Sequence, residues 1–198
     1  MGNLRSAEKA LEHVGAEAEV TSDHDRIVTA DGVVLPGVGA FPRAMEEVRR
    51  LGYDALLRDR LAAGVPVLGI CLGMQLLFEG STELGGAEGL GLLEGTVDAL
   101  DADGLKVPQI GWNTVSWRRD TPLREELPDP CAFYHVHSCA PRPLHDEEVA
   151  GVATYGSEFA SVVQRPPFYG VQFHPEKSGP DGLRLLGSFA RLCAGVAA

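Results

Sequence analysis

With 198 residues, the chain has the length of one domain with a full hydrophobic core, and we expect a single domain over residues 1–198. Its 28 acidic and 17 basic residues give a formal net charge of −11, which argues against a nucleic acid partner. The sequence has no apolar run that would cross a membrane, and its four cysteines form no dense framework. We therefore expect a cytoplasmic protein with no membrane partner.

The first half of the chain predicts helices alternating with short apolar strands. A helical repeat begins at Leu4 and stops before Gly15, and a further helix, in one or two pieces, covers residues 44–63. Continuous apolar runs at 33–35 and 65–70 predict strands buried on both faces. This alternation is typical of an α/β protein with a parallel sheet.

The second half of the chain predicts mostly strands, separated by glycine and proline turns, with one helix near the end. The predicted strands cover 107–117, 132–139, 149–154, 159–164 and 170–173, and the helix covers 181–193. We expect a three-layer α/β sandwich whose central sheet is mixed but mainly parallel, with an antiparallel excursion before the last strand and helix.

The segment Gly69-Ile70-Cys71-Leu72-Gly73 follows a buried strand directly and opens a helical pattern. Glycines on both sides of a cysteine allow a sharp turn, so the segment predicts a nucleophile elbow with sulfur in place of oxygen. The N-terminus of the following helix favours a thiolate, and the backbone N–H of Leu72 becomes a candidate oxyanion donor.

A cysteine nucleophile requires a base and a group that orients the base. His174 and Glu176 lie two apart on a segment that Pro175 keeps extended, so their side chains project to one side. We predict that His174 moves the proton and Glu176 fixes its tautomer. The glycine turn at 36–41 follows another strand and offers further backbone N–H groups at the same sheet edge.

Three motifs, PGVGAF at 36–41, GICLGMQLLFE at 69–79 and GVQFHPEKS at 170–178, resemble those of class I, triad-type glutamine amidotransferases. GWN at 111–113, YHVHS at 134–138 and Lys177 narrow the resemblance to the glutaminase subunits of imidazole glycerol phosphate synthase, an enzyme of histidine biosynthesis. The resemblance covers essentially the whole chain. It implies a flavodoxin-like fold, hydrolysis of glutamine to glutamate and ammonia, and no cofactor or metal.

The resemblance also implies a role for each matching position. Cys71, His174 and Glu176 match the triad, and Val38 and Leu72 match the oxyanion amides. The positions that match glutamine-binding residues are Gly37, Gln75, Glu83, His137 and Ser138, the last two largely through their backbone. The family works as a heterodimer with a (β/α)8-barrel cyclase that receives the ammonia, and the positions facing it match Gly111, Trp112, Asn113, Tyr134 and Lys177.

Relatives in this family begin with a strand and a loop of the type DYGxGNLRS, whereas this chain begins within that loop, at Met1-Gly2-Asn3-Leu4-Arg5-Ser6. The resemblance therefore predicts that a first strand is missing here, and our hypothesis is a start site further upstream. Such a strand would supply ladder hydrogen bonds to its neighbour in the sheet.

Several alternatives remain open at this point. Cys131, His135, His137 and Cys139 are possible metal ligands, but on one strand they span about 26 Å, so packing roles are favoured. The rival functions are another class I glutaminase, such as one serving pyridoxal phosphate or anthranilate synthesis, a γ-glutamyl hydrolase, and a non-enzymatic scaffold. Partner identity, release of glutamate from γ-glutamyl peptides, and alkylation of Cys71 by a glutamine analogue separate them.

Overall fold

The computed structural model describes residues 4–195; the opening Met1-Gly2-Asn3 lies outside this range. The six helices are α1 (Leu4–His13), α2 (His24–Thr29), α3 (Phe41–Arg50), α4 (Tyr53–Ala62), α5 (Leu72–Gln75) and α6 (Gly179–Cys193). The strands are β1 (Val33–Gly37), β2 (Val67–Cys71), β3 (Phe78–Ser81), β4 (Ala87–Glu88), β5 (Leu93–Ala99), β6 (Gln109–Trp117), β7 (Cys131–His137), β8 (Cys139–Pro143), β9 (Val149–Tyr155), β10 (Ser157–Arg165) and β11 (Phe168–Val171).

The larger sheet has seven strands in the order β1-β2-β11-β10-β9-β6-β7. Strands β1, β2 and β11 are parallel, and every pairing from β11 to β7 is antiparallel. The mixed sheet is confirmed, but the expectation of a mainly parallel one is wrong for the described residues. Short turns join β9 to β10, at Gly156, and β10 to β11, so this part of the sheet is built from adjacent hairpins and not from helical crossovers.

A second sheet, not predicted from the sequence, contains four strands in the order β4-β3-β5-β8. The strand predicted over 132–139 is two strands, because the chain leaves the large sheet after His137 and joins the small one at Cys139. At the break, the carbonyl of Ser138 accepts a hydrogen bond from the N–H of Leu100 at 2.8 Å. The small sheet therefore flanks the strand that carries His137.

Helices cover both faces of the parallel part of the large sheet. One apolar cluster contains Leu68, Ile70 and Phe173 with residues of α1 and α6, and the other contains Val67 with residues of α3 and α4. Successive β2 side chains thus enter opposite cores, as the period of a strand buried on both faces requires. All five residues of β2 are buried.

The register of the parallel strands determines where the candidate site lies. Gly37 is paired with Cys71, and Val171 with Ile70, so the carboxyl ends of β1, β2 and β11 lie side by side. The loops that leave this edge carry the glycine turn, the elbow and the histidine predicted from the sequence. Within residues 4–195, no helix has the length and apolar character needed to cross a membrane.

Candidate active site

Cys71 occupies a sharp turn between β2 and α5. Its backbone has φ 54° and ψ −115°, a conformation that residues with a Cβ rarely adopt and that is typical of constrained functional sites. The turn depends on close backbone packing, because a Cβ on Gly69 would lie 2.6 Å from Met74 Cα. A Cβ on Gly73 would lie 1.7 Å from the Leu35 carbonyl oxygen. Both flanking glycines are thus required for close approach.

Hydrogen bonds hold both the side chain and the backbone of His174. Its Nδ1 lies 2.9 Å from Glu176 Oε1, and both side chains are almost fully buried. The His174 N–H donates to the Tyr134 carbonyl at 2.9 Å, and the His174 carbonyl accepts from Ser178 Oγ at 2.7 Å. These bonds fix the backbone, so the ring direction is set by the Glu176 carboxylate.

The electrostatics of the pair favour a charged imidazole. Burial lowers the pKa of His174, but hydrogen bonds and charge interactions with Cys71 and Glu176 outweigh it and raise that pKa from 6.5 to about 9. At neutral pH the ring is therefore protonated beside the sulfur. The positive charge of this ring stabilises an anionic sulfur, the form that acts as a nucleophile.

The two predicted oxyanion donors lie on adjacent loops. Leu72 is the buried first residue of α5, and Val38 follows directly after the strand residue that pairs with Cys71. A Cβ on Gly37 would lie 2.8 Å from the Gly73 nitrogen, so the glycine turn lies against the backbone that carries the Leu72 amide. Val38 itself is half exposed at the rim.

The predicted glutamine-binding positions are distributed around this edge. The Gln75 side chain is buried and donates to the Cys139 carbonyl at 3.0 Å. Glu83 lies further out, where its Oε2 accepts a hydrogen bond from the Phe41 N–H at 2.7 Å and ties its segment to the start of α3. The charge on Glu83 therefore faces the far end of the glycine turn and not the sulfur directly.

His137 and Ser138 reach the site through the end of β7. The His137 Nδ1 donates to the Cys139 carbonyl at 2.9 Å, and Nε2 lies 3.0 Å from the Gln109 side-chain amide. Burial lowers the pKa of His137 to about 4, so the ring is neutral at pH 7. The preceding residue, Val136, brings its carbonyl oxygen to 3.7 Å from Cys71 Sγ, which places the backbone of His137 and Ser138 beside the nucleophile.

Comparison with known proteins identifies the family. The sequence profile of glutamine amidotransferase class-I matches residues 2–191, nearly the entire chain. The chain belongs to the class I glutamine amidotransferases. Curated relatives at high identity include subunit HisH of imidazole glycerol phosphate synthase from Bacillus cereus strain G9842, 48% identical over 96% of this chain and 90% of the relative. The same subunit from Moorella thermoacetica is 49% identical over 97% and 91% of the two chains.

Solved structures agree with this amidotransferase fold. The crystal structure of a glutamine amidotransferase superimposes with a TM-score of 0.76 at 21% identity, covering 98% of this chain and 95% of the other. The glutaminase domain of Trypanosoma brucei CTPS with bound acivicin gives 0.72 at 18% identity, covering 98% and 89%. These likenesses establish an α/β fold of this class.

The predicted partner-facing positions of this amidotransferase form an aromatic surface beside the base. Trp112 on β6 is 60% exposed and packs edge-on against Tyr134, its partner across the strand pair, with ring centroids 6.2 Å apart. Gly111 precedes it, Asn113 donates its side-chain N–H to the Thr154 carbonyl at 3.0 Å, and Lys177 is exposed. An exposed indole against a tyrosine is typical of a protein contact surface.

Three of the four possible metal ligands on and beside β7, His135, His137 and Cys131, have side chains that contact other groups of the protein. His135 is fully buried between the Phe133 carbonyl at 3.1 Å and Ser161 Oγ at 2.9 Å, and burial lowers its pKa to about 3. Cys131 lies 3.4 Å from Asp181 Oδ2. Among residues 4–195, no group of three or more His, Cys, Asp or Glu side chains is arranged to hold a metal.

One residue that contacts the sulfur was missed by the sequence reasoning. Gln172 is fully buried, and its side-chain Nε2 lies 3.6 Å from Cys71 Sγ. The signal was present, because Gln172 lies two residues before His174 on an extended segment and so projects to the same side. A polar residue between two buried apolar neighbours, Val171 and Phe173, also indicates a specific contact.

Proposed function

We propose that this amidotransferase is the glutaminase subunit of an imidazole glycerol phosphate synthase, hydrolysing glutamine and delivering ammonia to a cyclase subunit in histidine biosynthesis. The observation that carries the glutaminase assignment is the buried set of Cys71, His174 and Glu176 at one sheet edge. The choice of synthase is supported by relatives named HisH that are 48–49% identical over 96–97% of this chain.

The proposed reaction begins when the Cys71 thiolate attacks the side-chain amide carbon of glutamine. The carbonyl oxygen becomes an oxyanion that the Val38 and Leu72 N–H groups stabilise, each donor being worth about 3 kcal/mol in comparable sites. Protonated His174 transfers its proton to the amide nitrogen, the carbon–nitrogen bond breaks, and ammonia leaves a thioester on the sulfur.

Hydrolysis of the thioester completes the cycle with the same residues. Neutral His174 removes a proton from water, the resulting hydroxide attacks the thioester carbon, and the oxyanion forms again in the same place. Collapse of this intermediate releases glutamate and restores the thiolate beside protonated His174. In both halves Glu176 keeps the His174 ring aligned through its 2.9 Å hydrogen bond.

Glutamine selection in this proposal uses the surrounding polar positions. Gly37, Gln75, Glu83, His137 and Ser138 are proposed to surround the substrate, with the backbone at the end of β7 close to the sulfur. Gln75 and His137 contribute as rigid walls, since their side chains are already bonded inside the protein. We also propose that residues 1–198 form one amidotransferase domain with a three-layer, flavodoxin-like arrangement.

The proposed partner is a (β/α)8-barrel cyclase that docks on the aromatic surface of Trp112 and Tyr134, together with Gly111, Asn113 and Lys177. This surface lies next to the base, since the Tyr134 carbonyl accepts the His174 N–H. A partner docked there encloses the site, so ammonia passes to the second active site without mixing with bulk water. We expect low glutaminase activity without the cyclase.

The test is glutamate release by the purified chain, alone and with the cyclase carrying its nucleotide ligand. We expect stimulation by the loaded cyclase and no activity in the C71A variant under either condition. Equal glutamine turnover with and without the partner would contradict the assignment to this synthase. Hydrolysis of γ-glutamyl peptides by the isolated chain would instead support the hydrolase alternative.

A further inference from the structure

Gln172 lies next to the Cys71 sulfur, in the segment between β11 and His174. Its side chain is fully buried. Its backbone N–H donates to the Ser161 carbonyl at 2.9 Å, which holds this segment to β10. The side-chain amide extends towards β2, where Nε2 lies 3.6 Å from Cys71 Sγ and Oε1 lies 2.9 Å from Gln75 Nε2. It therefore bridges the nucleophile and α5.

The hydrogen-bond network fixes which end of the Gln172 amide faces the sulfur. The Cys139 carbonyl, 3.0 Å from the Gln75 side chain, can only accept, so the NH2 group of Gln75 must face it. The second hydrogen of that NH2 group points at Gln172 and requires an oxygen there. The NH2 group of Gln172 is left to face Cys71 Sγ.

We propose that the Gln172 side-chain amide donates a hydrogen bond to the anionic sulfur of Cys71 and is a catalytic residue of the glutaminase reaction, oriented by Gln75. The inference rests on the proposed role of Cys71 as nucleophile. A donor stabilises the charged form of its acceptor, so Gln172 increases the fraction of sulfur that is ready to attack.

The other groups that face the sulfur explain why such a donor matters. The Val136 carbonyl on β7, 3.7 Å from Sγ, accepts from a thiol and favours the uncharged form. His174 favours the anion while it is protonated, and its own charge is balanced by Glu176. Gln172 is a neutral donor whose effect stays constant with pH, and it offsets the Val136 carbonyl in the thiolate that precedes the attack on glutamine.

The experiment is the pH dependence of Cys71 alkylation by iodoacetamide between pH 5 and 10, with the modified peptides resolved by mass spectrometry. In Q172M the side chain keeps its length and loses the donor. We expect the midpoint of the profile to rise by about one pH unit, the effect of losing one hydrogen bond to a charged group. Below the midpoint the rate falls about threefold, while the plateau rises about threefold, because a less acidic thiol is a stronger nucleophile.

Interference from the remaining cysteines is small, since burial raises the pKa of Cys131 and Cys193 to about 12 and that of Cys139 to about 11. The matched control is Q164M. Gln164 lies on β10 and donates to the Asp120 carbonyl, so its loss leaves the sulfur untouched and the wild-type profile is expected.

A second variant distinguishes donation to the sulfur from mere support of Gln75. Q172E keeps the oxygen that Gln75 requires but places a carboxylate beside the sulfur, so the midpoint is expected to rise at least as far as in Q172M. A wild-type profile in Q172M, or its recovery in Q172E, would overturn the inference. A wild-type protein whose Cys71 resists alkylation throughout would instead overturn the proposed function.

Discussion

Replacement of Glu176 by Gln tests whether the carboxylate sustains the charge on His174. The amide oxygen of Gln can still accept the Nδ1–H bond that now measures 2.9 Å, so the geometry is retained while the negative charge is lost. Because both side chains are almost fully buried, little solvent screening weakens the effect. The variant thus isolates the electrostatic contribution.

The magnitude follows from the pKa of His174, which its neighbours raise from 6.5 to about 9 against the opposing effect of burial. Hydrogen bonds and charge interactions with both Cys71 and Glu176 raise this pKa, so loss of the carboxylate lowers it. Its removal lowers the pKa of His174 by about one pH unit, which equals about 1.4 kcal/mol. Activity depends on protonated His174, so it is lost as pH rises through about 9 in the wild type and about one unit earlier in E176Q.

The assay is kcat/KM for glutamate release between pH 6 and 10, in complex with the cyclase. We expect the alkaline limb of E176Q to move down by about one pH unit, because the ring keeps its hydrogen bond but loses the neighbouring negative charge. The control is E47Q on the exposed face of α3, which should keep the wild-type profile. An unchanged alkaline limb in E176Q would refute the assigned role of the carboxylate.

Three further predictions concern the elbow, the core and the partner surface. G73A should lower the free energy of unfolding in urea by more than about 3 kcal/mol, since its Cβ meets a backbone carbonyl at 1.7 Å, whereas G187A in α6 has only ordinary contacts at 3.7 Å and should be neutral or stabilising. Burial lowers the pKa of His135 to about 3, so acid protonates it in the unfolded chain first. The free energy of unfolding therefore falls as the pH drops below 6.5, by about 2 kcal/mol between pH 7 and pH 5. H135Q should make the free energy of unfolding depend less on pH in this range, whereas H13Q, at an exposed position, should leave the pH dependence unchanged. W112A should weaken cyclase binding at least tenfold by titration calorimetry with unchanged thermal stability, and equal affinity would contradict the docking surface.

Most helices and the parallel strands were predictable because each has a complete local signal, whereas the short helix α2 was not predicted. The apolar run ending at Cys71 and the helical repeat before Gly15 both appear as expected. The helix expected over 44–63, in one or two pieces, is two helices, α3 and α4, which begin at Phe41 and are separated at Gly52 with φ 70°. Periodicity and a glycine stop suffice when one face or both faces of an element are buried.

The small sheet was missed because most of its strands are short and lie among glycines. Strand β4 has two residues and β3 has four, too few for a pattern. Strand β5 did carry a signal, since Leu93, Gly95 and Val97 alternate with polar residues and the buried positions follow that alternation. The expectation of a mainly parallel sheet was also wrong. An apolar run indicates that a strand is buried, but not whether the neighbouring strand runs parallel or antiparallel to it.

The triad positions were predictable because they follow from sequence spacing, whereas Gln172 required the three-dimensional register. Nothing in the sequence indicates that β11 lies beside β2 and aligns Val171 with Ile70, yet that pairing is what brings Gln172 to the sulfur. The spacing of Gln172 from His174 gives the side to which its side chain projects, but its contact with Cys71, 101 residues away, also depends on this pairing in the sheet.

Strand β7 contacts both the aromatic surface of Trp112 and Tyr134 and the catalytic residues Cys71 and His174. At one position its Tyr134 packs against Trp112 and accepts the His174 N–H, and two residues later its Val136 carbonyl touches Cys71 Sγ. A displacement of β7 by a docked partner therefore changes the distance to the base and to the nucleophile together. Because an acceptor that moves away from the sulfur favours the thiol less, a displacement that carries the Val136 carbonyl away from Cys71 Sγ would raise the thiolate fraction, and this is a physical reason for the cyclase dependence proposed above.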